Sequence, residues 1–597
     1  MNTNDEDSGA DSAKGSSERM AASAEVLKHL RQTYGICRTA SGLARVSGSV
    51  KTHLVDKFLV RGTARSADGR VLGVILANAV DASRVSIAPF SAVRDPKHLA
   101  EYLEAIGVIP PSQIDALRLV AKYVDAMARR VERVVLTSEG IHKLSSGGEQ
   151  LVVAVIGSRV IGAGAAKFLA IPAGPSVYAE KGNLADWKKA FGPILASNPM
   201  MIVSACFALA APLGSLLDAT LTGLLLAGPS STGKTTLARF VSSMFSAPDE
   251  PHQWAGTSNG IEALALRYTD LPLPLDELAS GDVRRVLEVI YRISGGQTKA
   301  RATVTGTLQA PASIRSAIFA TGEVSLQHQA RVAGTSVKAG HDARLPTVWV
   351  DETFGVYSNI GEAKDGAAFA ARVNAAMRHT FGTPLPAFLD AALKDVPATR
   401  KAAASIRKRA EALVAGEGAE TLSGIERRVM AGFLTFAVAG ELAVAHDVLP
   451  LREGEPTTAV AYVFSKWLAR WRALTQEPAE APLRHLRDFF KRNGRRFLPL
   501  SQWAELTPRP AGFAGYIHTS KRHGEHYLIF RDIFEKEIAA EAGLDATLHA
   551  LRSADLLIAN QRARTLLVRM PGASDDPTEG RQAFYAIPVS VAFDAEG

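Results

Sequence analysis

Residues 221–236 read LTGLLLAGPSSTGKTT, and this stretch decides the fold. The apolar run from Leu221 to Ala227 predicts a β-strand, GPSSTGKT from Gly228 to Thr235 predicts a tight loop, and the following TLARFVSSMF predicts a helix. The spacing G-x-x-x-x-G-K-[ST] between a strand and a helix is typical of a phosphate-binding loop. We therefore expect a nucleoside triphosphate to bind here.

Each residue type in this loop has a chemical reason. Gly228 and Gly233 allow backbone N–H groups to close around phosphate oxygens, and the helix N-terminus adds the positive end of its dipole. Lys234 is expected to reach the terminal phosphates of ATP, and the Thr235 hydroxyl is expected to ligate Mg²⁺. The predicted nucleotide-binding residues are Gly228, Pro229, Ser230, Ser231, Thr232, Gly233, Lys234, Thr235 and Thr236.

Hydrolysis also needs carboxylates, and LPLPLDE places Asp276 and Glu277 at the end of a later apolar run. We assign Asp276 to Mg²⁺ and Glu277 to the attacking water. The alternative is that both acids only cap the next helix, and two prolines make this run a poor central strand. The following run, RSAIFATGE, ends near Thr321. Thr321 is a candidate sensor of the γ-phosphate, although strands commonly end in threonine and glycine for other reasons.

Two further basic sites belong to the same region. Arg344 in AGHDARLP follows the sensor strand, where a loop could present it to the phosphates of a neighbouring subunit; the alternative is an ordinary surface salt bridge. The stretch GGQTKARATVTG predicts a β-hairpin that carries Lys299 and Arg301. These cations could grip a nucleic-acid backbone, or the hairpin could simply have a solvated basic tip.

A third basic segment lies near the C-terminus. The helical pattern LRHLRDFFKRNGRRF includes Arg492, Arg495 and Arg496, and an aromatic stretch and a basic hairpin follow it. This combination predicts a winged-helix-like module that binds DNA. A solvated basic helix face is the alternative.

These residues, in this order, resemble the family called domain of unknown function 927, which occurs in phage and mobile-element proteins and is similar to superfamily 3 and related AAA+ helicases. The resemblance covers residues 60–382. It rests on WKKAF at Trp187, the phosphate loop, WAGTSNGIEALA from Trp254, LDEL, IYRISGG, KARA, FATGE and AGHDARLP. It implies an ATP-driven hexameric motor that translocates on DNA, with Lys299 and Arg301 on a pore hairpin. Superfamily 3 enzymes usually have asparagine as the sensor, where this chain has Thr321.

The composition fits a large folded protein. Of 597 residues, 47% are hydrophobic and 21% are charged, which excludes disordered and fibrous classes. Two cysteines are too few for a disulfide framework or a four-thiolate zinc site. The net charge of +8 permits a polyanionic partner. The polar N-terminus has no apolar signal segment, so we expect a cytoplasmic protein.

The pattern predicts a multidomain α/β protein with five segments. They are a disordered tail (1–24), an α+β domain (25–183), an AAA+ three-layer α/β ATPase domain (184–350), a helical lid or bridge (351–477) and a winged-helix-like domain (478–597). The uncharged stretch 190–217 is long enough to span a bilayer, but Pro193, Pro199 and Pro212 interrupt it. We expect a helix buried against a parallel sheet there.

The function predicted from these features is that of an ATP-dependent DNA-translocating motor. We expect the replicative or self-loading helicase of a phage or mobile element, which uses ATP and Mg²⁺ and assembles as a homo-hexamer on single-stranded or forked DNA. The alternative is a nucleotide-switched DNA-binding or defence scaffold that never separates strands. The sequence does not define the polarity of movement or the DNA structure that is preferred.

Overall fold

The computed structural model describes most of the chain as two compact units, one up to Trp467 and one from Leu468. The described residues are 23–146, 148–298, 301–302, 308–309, 312–333, 335, 337–502, 512–539, 543–559, 564–571 and 580–589. The finer division into five segments stays a prediction.

The first part of the first unit is a set of three small sheets with helices. The sheets have the orders β1-β2-β3, β11-β7-β4-β5-β6 and β10-β9-β8. The strands are β1 Ile36–Arg38, β2 Gly42–Ser47, β3 Val50–Asp56, β4 Phe58–Arg65, β5 Val71–Asn78, β6 Val85–Ala88, β7 Glu132–Leu136, β8 Gly140–Ser146, β9 Glu149–Ile156, β10 Arg159–Ile161 and β11 Phe168–Ala170. The helices are α1 (residues 23–34), α2 Phe90–Arg94, α3 Pro96–Ala105 and α4 Ile114–Ala128. In α4, Val120 and Val124 lie one turn apart and are fully buried, which explains why the amphipathic pattern folds as a helix here.

A five-stranded parallel sheet follows, in the order β13-β14-β17-β12-β18. Its strands are β12 Leu224–Ala227, β13 His252–Gln253, β14 Pro272–Asp276, β17 Ala317–Gly322 and β18 Thr347–Trp349. The helices of this part are α5 Leu184–Leu195, α6 Pro199–Leu217, α7 Lys234–Ser243, α8 Ser258–Arg267, α9 Val283–Gly295, α10 Leu326–Val332 and α11 Ala339–Asp342. Every residue of β12 is fully buried, as expected for a parallel strand with both faces covered. The chain is therefore a multidomain α/β protein with a parallel sheet.

Two expectations for this sheet need adjustment. The apolar run was expected to be a strand from Leu221, but β12 begins only at Leu224. The prolines of β14 are compatible with an interior strand, because Pro272 and Pro274 point their backbone nitrogens away from β17. The Leu271 carbonyl accepts a hydrogen bond from the Ala317 N–H of β17, so the backbone groups of Leu271, Leu273 and Leu275 face β17. The backbone nitrogens of the two prolines face β13 instead. Among the described residues, β13 pairs only with Leu275 and Asp276, so no ladder hydrogen bond is lost at either proline.

The uncharged stretch 190–217 forms the end of α5 and all of α6. The helix α6 is long and apolar enough to cross a membrane, and so is the later helix α15 (Gly424–Ala445). The most apolar windows of the two helices are 89% and 72% buried inside the protein. Such burial is what core helices show, and it agrees with the expectation of a buried helix.

Helices dominate the rest of the first unit. They are α12 Gly366–His379, α13 Pro384–Lys394, α14 Val396–Ala415, α15, and α16 Glu455–Asn493. A capping box, in which the side chains of Ser423 and Glu426 each accept from the backbone N–H of the other, caps the N-terminus of α15. The single helix α16 runs from the first unit into the second, across position 477, where the sequence suggested a boundary.

The second unit has a five-stranded sheet in the order β19-β20-β21-β23-β22. The strands are β19 Phe497–Pro499, β20 Gly515–Ser520, β21 Gly524–Ile529, β22 Leu566–Arg569 and β23 Arg581–Pro588, and the helices after β21 are α17 Arg531–Ile533 and α18 Leu544–Ser553. Stacked aromatic pairs fill the core, with ring centroids 4.3 Å apart for Phe490 and Tyr527 and 4.0 Å apart for Phe534 and Tyr585. The predicted basic hairpin is β20–β21, but the sheet is larger than the sequence suggested, and the winged-helix-like assignment stays a prediction.

Candidate nucleotide site

The strand order brings three predicted site segments to one edge of the parallel sheet. Strand β17 lies between β12 and β14, and Ala227 pairs with Gly322 while Leu275 pairs with Ala320. The carboxyl ends of parallel strands meet at the same edge, which is where open α/β sheets bind ligands. The glycine loop, the candidate sensor and the acidic pair are therefore neighbours.

The loop from Gly228 to Gly233 has the backbone shape that its glycines predict. Gly233 has a φ of +90°, and a Cβ there would lie 2.9 Å from the Val356 side chain. Ser231 also has a positive φ, of +63°. Among the described residues, no side chain caps the start of α7. The first N–H groups of this helix are therefore directed at the loop, in the arrangement that binds phosphate.

The Lys234 ammonium folds back over this loop. Its Nζ donates to the carbonyl oxygens of Gly228 at 2.9 Å and Pro229 at 2.6 Å. Burial lowers the pKa of Lys234, and the nearby carboxylates of Glu323, Glu277 and Asp276 oppose that shift. The lysine thus lies between the loop carbonyls and a group of acids, at the point where a terminal phosphate would need a cation.

Asp276 joins the two threonines that the sequence singled out. The Thr235 hydroxyl donates to Asp276 Oδ2 at 3.1 Å, and the Thr321 hydroxyl donates to Asp276 Oδ1. A hydroxyl and a carboxylate so close together are oxygen ligands of the kind that Mg²⁺ prefers. The residues present therefore fit a magnesium site formed by Thr235 and Asp276, with Thr321 holding the carboxylate in place.

Glu277 makes the capping contact that the sequence allowed as an alternative, and its catalytic role stays a prediction. Its side chain accepts a hydrogen bond from the Ala279 N–H at 3.3 Å, so it caps the short helical turn that follows. Its backbone has a φ of +52°, an unusual value for glutamate, and its N–H donates to the Thr321 hydroxyl at 3.4 Å. Such backbone strain is concentrated at functional sites. It turns the chain sharply at the edge of the sheet, beside Asp276.

Arg344 lies at the opposite edge of the same sheet. Its carbonyl accepts from the Gly223 N–H at 2.8 Å, just before β12, whereas the glycine loop follows β12. The guanidinium lies 4.5 Å from the centre of the Tyr291 ring and donates to the Gly340 carbonyl at 2.8 Å. Within the described chain, the surface salt bridge considered as its alternative is not seen. Arg344 is not part of the site that its own chain forms.

Sequence reasoning missed one segment of the site. Residues 351–358, which we call the strap, follow β18 and lie along the glycine loop. The Val356 N–H donates to the Thr232 carbonyl at 2.8 Å, and Gly355, with a φ of +80°, approaches the same carbonyl so closely that a Cβ would lie 2.3 Å from its oxygen. At the end of the strap, the side-chain oxygen of Asn198 accepts from two consecutive backbone N–H groups, Ser358 at 3.0 Å and Asn359 at 2.9 Å. Gly355 is the only signal that the sequence offered for this contact.

The predicted DNA-binding residues belong to both units of the chain. Lys299 is outside the described residues, and the backbone of Arg301 pairs with Gln309 in the short hairpin β15 (Arg301–Ala302) and β16 (Leu308–Gln309). Arg301 is thus on a hairpin strand rather than at the turn. In the second unit, Arg492 and Arg495 are both exposed.

Arg496 differs from its neighbours in already having a carboxylate partner. Its guanidinium pairs with Glu537 at 2.6 Å, and it lies 5.7 Å from the centre of the Phe489 ring. Arg495 and Arg496 also lie beyond the end of α16, in a separate short turn. A DNA-binding role for Arg496 would require it to exchange this internal ion pair for phosphate.

Comparison with known proteins gives a family match for part of the chain and a fold for nearly all of it. Residues 95–313 match the family described as Domain of unknown function (DUF927), which confirms the family resemblance drawn from the sequence. No curated protein sequence matches the chain. A solved structure described as the SCCmec type IV Cch active helicase is 15% identical, with a TM-score of 0.65, over 94% of this chain and 98% of that one. The chain therefore shares the fold of that solved structure over nearly all its length.

Two other solved structures are more distant. A full-length MCM homolog from Methanopyrus kandleri is 13% identical, covers 55% of this chain and 74% of that one, and has a TM-score of 0.27. The apo C-terminal region of NrS-1 is 10% identical, covers 88% and 95%, and has a TM-score of 0.32. At these TM-scores the two likenesses carry no argument about this chain.

Proposed function

We propose that this chain, which carries a DUF927 domain in the fold of a helicase, is a P-loop ATPase that uses ATP hydrolysis to move along DNA. The observation that carries the proposal is the meeting of Lys234, Asp276 and Thr321 at one sheet edge, supplied by three adjacent parallel strands and their loops. A phosphate loop alone would support nucleotide binding. The acids beside it support hydrolysis.

In this proposal the residues of the site have separate tasks. The loop N–H groups and the start of α7 bind phosphate oxygens, and Lys234 exchanges its loop carbonyls for the terminal phosphates. Thr235 and Asp276 would hold Mg²⁺, which supplies positive charge to the phosphates when bound. Thr321 keeps Asp276 oriented and touches the backbone of Glu277. Glu277 orients the attacking water and accepts its proton.

The position of Arg344 supports an oligomer. Gly223 and Gly228 lie at opposite ends of β12, and five residues of strand span roughly 16 Å. Arg344 is bound at the Gly223 end, so it can stabilise phosphate charge only at the site of a neighbouring subunit. A ring of identical subunits, with six as the expected number, would supply such a neighbour at every site.

The DNA contacts belong to the same proposal. Lys299 and Arg301 on the β15–β16 hairpin would grip the phosphate backbone, and Arg492 and Arg495 of the second unit would add contacts. The finer assignment is the replicative or self-loading helicase of a phage or mobile element, acting in the cytoplasm. This assignment rests on the family resemblance.

A second candidate is a nucleotide-switched DNA-binding scaffold. One observation favours it: the Glu277 carboxylate accepts the Ala279 N–H and so has a capping role that does not depend on hydrolysis. Replacing Lys299 and Arg301 together with alanine separates the two candidates. A motor loses DNA-stimulated ATP turnover in this variant, whereas a switch keeps it.

The proposal is tested by ATP turnover and ATP affinity of the purified full chain. Lys234→Ala should abolish turnover and weaken binding, and Glu277→Gln should retain binding but lose turnover. Lys143→Ala is the matched control, because Lys143 pairs with Asp218 and lies outside the site. Normal turnover in the Lys234 variant would refute the central assignment.

A further inference from the structure

The strap connects the glycine loop to a distant helix. The Val350 N–H, just before the strap, donates to the Ala227 carbonyl at 2.7 Å, and the Val356 N–H donates to the Thr232 carbonyl at 2.8 Å. Between these two contacts, Asp351 and Glu352 contact α16. Because Gly355 touches the Thr232 carbonyl, the strap cannot shift without moving the loop backbone.

Glu352 is the centre of the contact with α16. Its side chain is only 10% exposed and accepts hydrogen bonds from Lys466 at 2.7 Å, Tyr462 at 2.8 Å and Ser358 at 2.9 Å. Lys466 is 22% exposed and also pairs with Asp351. Tyr462 and Lys466 lie one helical turn apart on α16, so one face of this helix holds the strap.

The charges of this contact are well matched. Burial alone would raise the pKa of Glu352, but the hydrogen bonds from Lys466, Tyr462 and Ser358 outweigh burial and lower it. Burial alone would lower the pKa of Lys466, but Asp351 and Glu352 outweigh burial and raise it. Both groups are therefore ionised at neutral pH. Removal of Lys466 would leave the buried Glu352 carboxylate without its counterion, which is costly, whereas removal of Glu352 would leave Lys466 with Asp351 alone.

We propose that Glu352 and Lys466 are positioning residues for the bound nucleotide, because their ion pair holds the strap against the glycine loop in the shape that receives phosphates. The inference rests on the proposed function, since it assumes that the loop binds ATP. Neither side chain touches the loop itself; both act through the backbone contacts of Gly355 and Val356 with Thr232. The expected consequence is an effect on affinity rather than on the chemical step.

Substitution of each partner tests this proposal. Glu352→Gln and Lys466→Met should each raise the KM for ATP and the Kd for a fluorescent ATP analogue with Mg²⁺ about tenfold, while kcat stays within about twofold. The double variant should be no worse than the weaker-binding single variant, because both changes break the same contact. Lys466→Arg keeps the charge and should restore affinity. Glu453→Gln removes an exposed carboxylate near the start of α16 and should change nothing.

Two further measurements keep the test decisive. Tyr462→Phe removes one hydrogen bond to Glu352 from a partly exposed residue, so it should fold normally and raise KM about two- to threefold. Hydrogen exchange of the Val356 amide should be faster in Glu352→Gln than in the wild type, and bound nucleotide should slow it in both.

The possible outcomes separate the inference from the proposed function. If the wild type binds no nucleotide, the proposed function is wrong. If the wild type binds ATP and the folded Glu352 and Lys466 variants bind it equally well, the positioning role is refuted. If those variants do not fold, unchanged KM in Tyr462→Phe overturns the inference. A loss of kcat at constant KM would also contradict it.

Discussion

At the scale of single residues, the carboxylate of Asp276 organises the site. It accepts the hydroxyls of Thr235 and Thr321 on its two oxygens, and Thr321 also accepts the N–H of Glu277. The Thr321 side chain thus fixes the positions of Asp276 and Glu277 beside the glycine loop. The sequence left open whether Thr321 has a role, and these contacts support a positioning role more directly than contact with the γ-phosphate.

Thr321→Val is the corresponding test. The variant keeps the volume of the side chain but loses the hydroxyl, so Asp276 loses one of its two donors. We expect ATP turnover to fall about 10- to 100-fold while nucleotide affinity changes less than about threefold. Thr347→Val is the control, since the Thr347 hydroxyl is buried on β18 without a hydrogen-bond partner among the described residues. Steady-state kinetics of both variants would check this, and equal turnover in both would contradict it.

Asp342, two residues before Arg344, predicts a pH dependence of stability. Burial raises the pKa of Asp342 to about 7 and outweighs the hydrogen bond from Gln327, which lowers it. Between pH 4 and pH 7 the folded chain therefore holds a proton that the unfolded chain has lost, so this group makes the protein less stable as pH rises.

Asp342→Asn should remove that dependence. At pH 8 the free energy of unfolding of the variant should exceed that of the wild type by a few kcal/mol, at about 1.4 kcal/mol per unit of pKa shift. The difference should vanish near pH 4. Chemical denaturation at a series of pH values measures it, and a difference that grows toward low pH would show that the sign is wrong.

At the scale of elements, one buried acid joins the small sheets of the first unit to the parallel sheet. Asp270 is 1% exposed and lies in the turn before β14. It accepts two hydrogen bonds from Arg315, each at 2.9 Å, and one at 2.6 Å from the Ile141 N–H in β8. The small sheets and the parallel sheet of the first unit are therefore joined at this point, between residues far apart in sequence.

Asp270→Ala should destabilise the first unit strongly. The change leaves the Arg315 guanidinium and the buried Ile141 N–H without their acceptor, at a cost of about 3–5 kcal/mol. Asp218→Ala, which removes an exposed partner of Lys143, should cost less than about 1 kcal/mol. Denaturant unfolding compares the two variants, and an equal loss in the free energy of unfolding would mean that the contacts of Asp270 contribute little to stability.

At the scale of the whole molecule, the two edges of the parallel sheet would have different roles in the proposed assembly. The acids and the glycine loop lie at one edge and Arg344 lies at the other, bound to Tyr291 and Gly340. Under the proposed function, a subunit on its own would therefore lack a complete set of charges around the phosphates. The assembly, rather than the chain, would be the active unit.

Mixing of inactive variants tests this arrangement. Arg344→Ala subunits keep their acids and Glu277→Gln subunits keep their arginine, so an interface between them can complete one site. With random mixing in equal amounts, about a quarter of the sites should be complete, and ATP turnover should recover accordingly. Lys234→Ala mixed with Glu277→Gln is the control, because both changes damage the same side of the interface. No recovery at any ratio of the first mixture would contradict catalysis between subunits.

The sequence by itself determined the features that depend on local spacing. The glycine loop, the helix after it and the acidic pair follow from residues close together in the chain, since backbone shape and helix dipole are local properties. The resemblance to the DUF927 family came from the same motifs. The prolines of β14 predicted a poor central strand, and this prediction was wrong because their effect depends on which neighbouring strand their backbone nitrogens face.

Only the tertiary structure decided how these segments combine. The order of the five parallel strands, the position of Arg344 at the far edge, and the contacts of Val356 with Thr232 and of Glu352 with Lys466 join residues that are distant in sequence. Such contacts leave no periodic or spaced pattern, because each is set by the packing of whole elements against each other. A motif can therefore predict the chemistry of one segment, and the fold decides which other segments complete it.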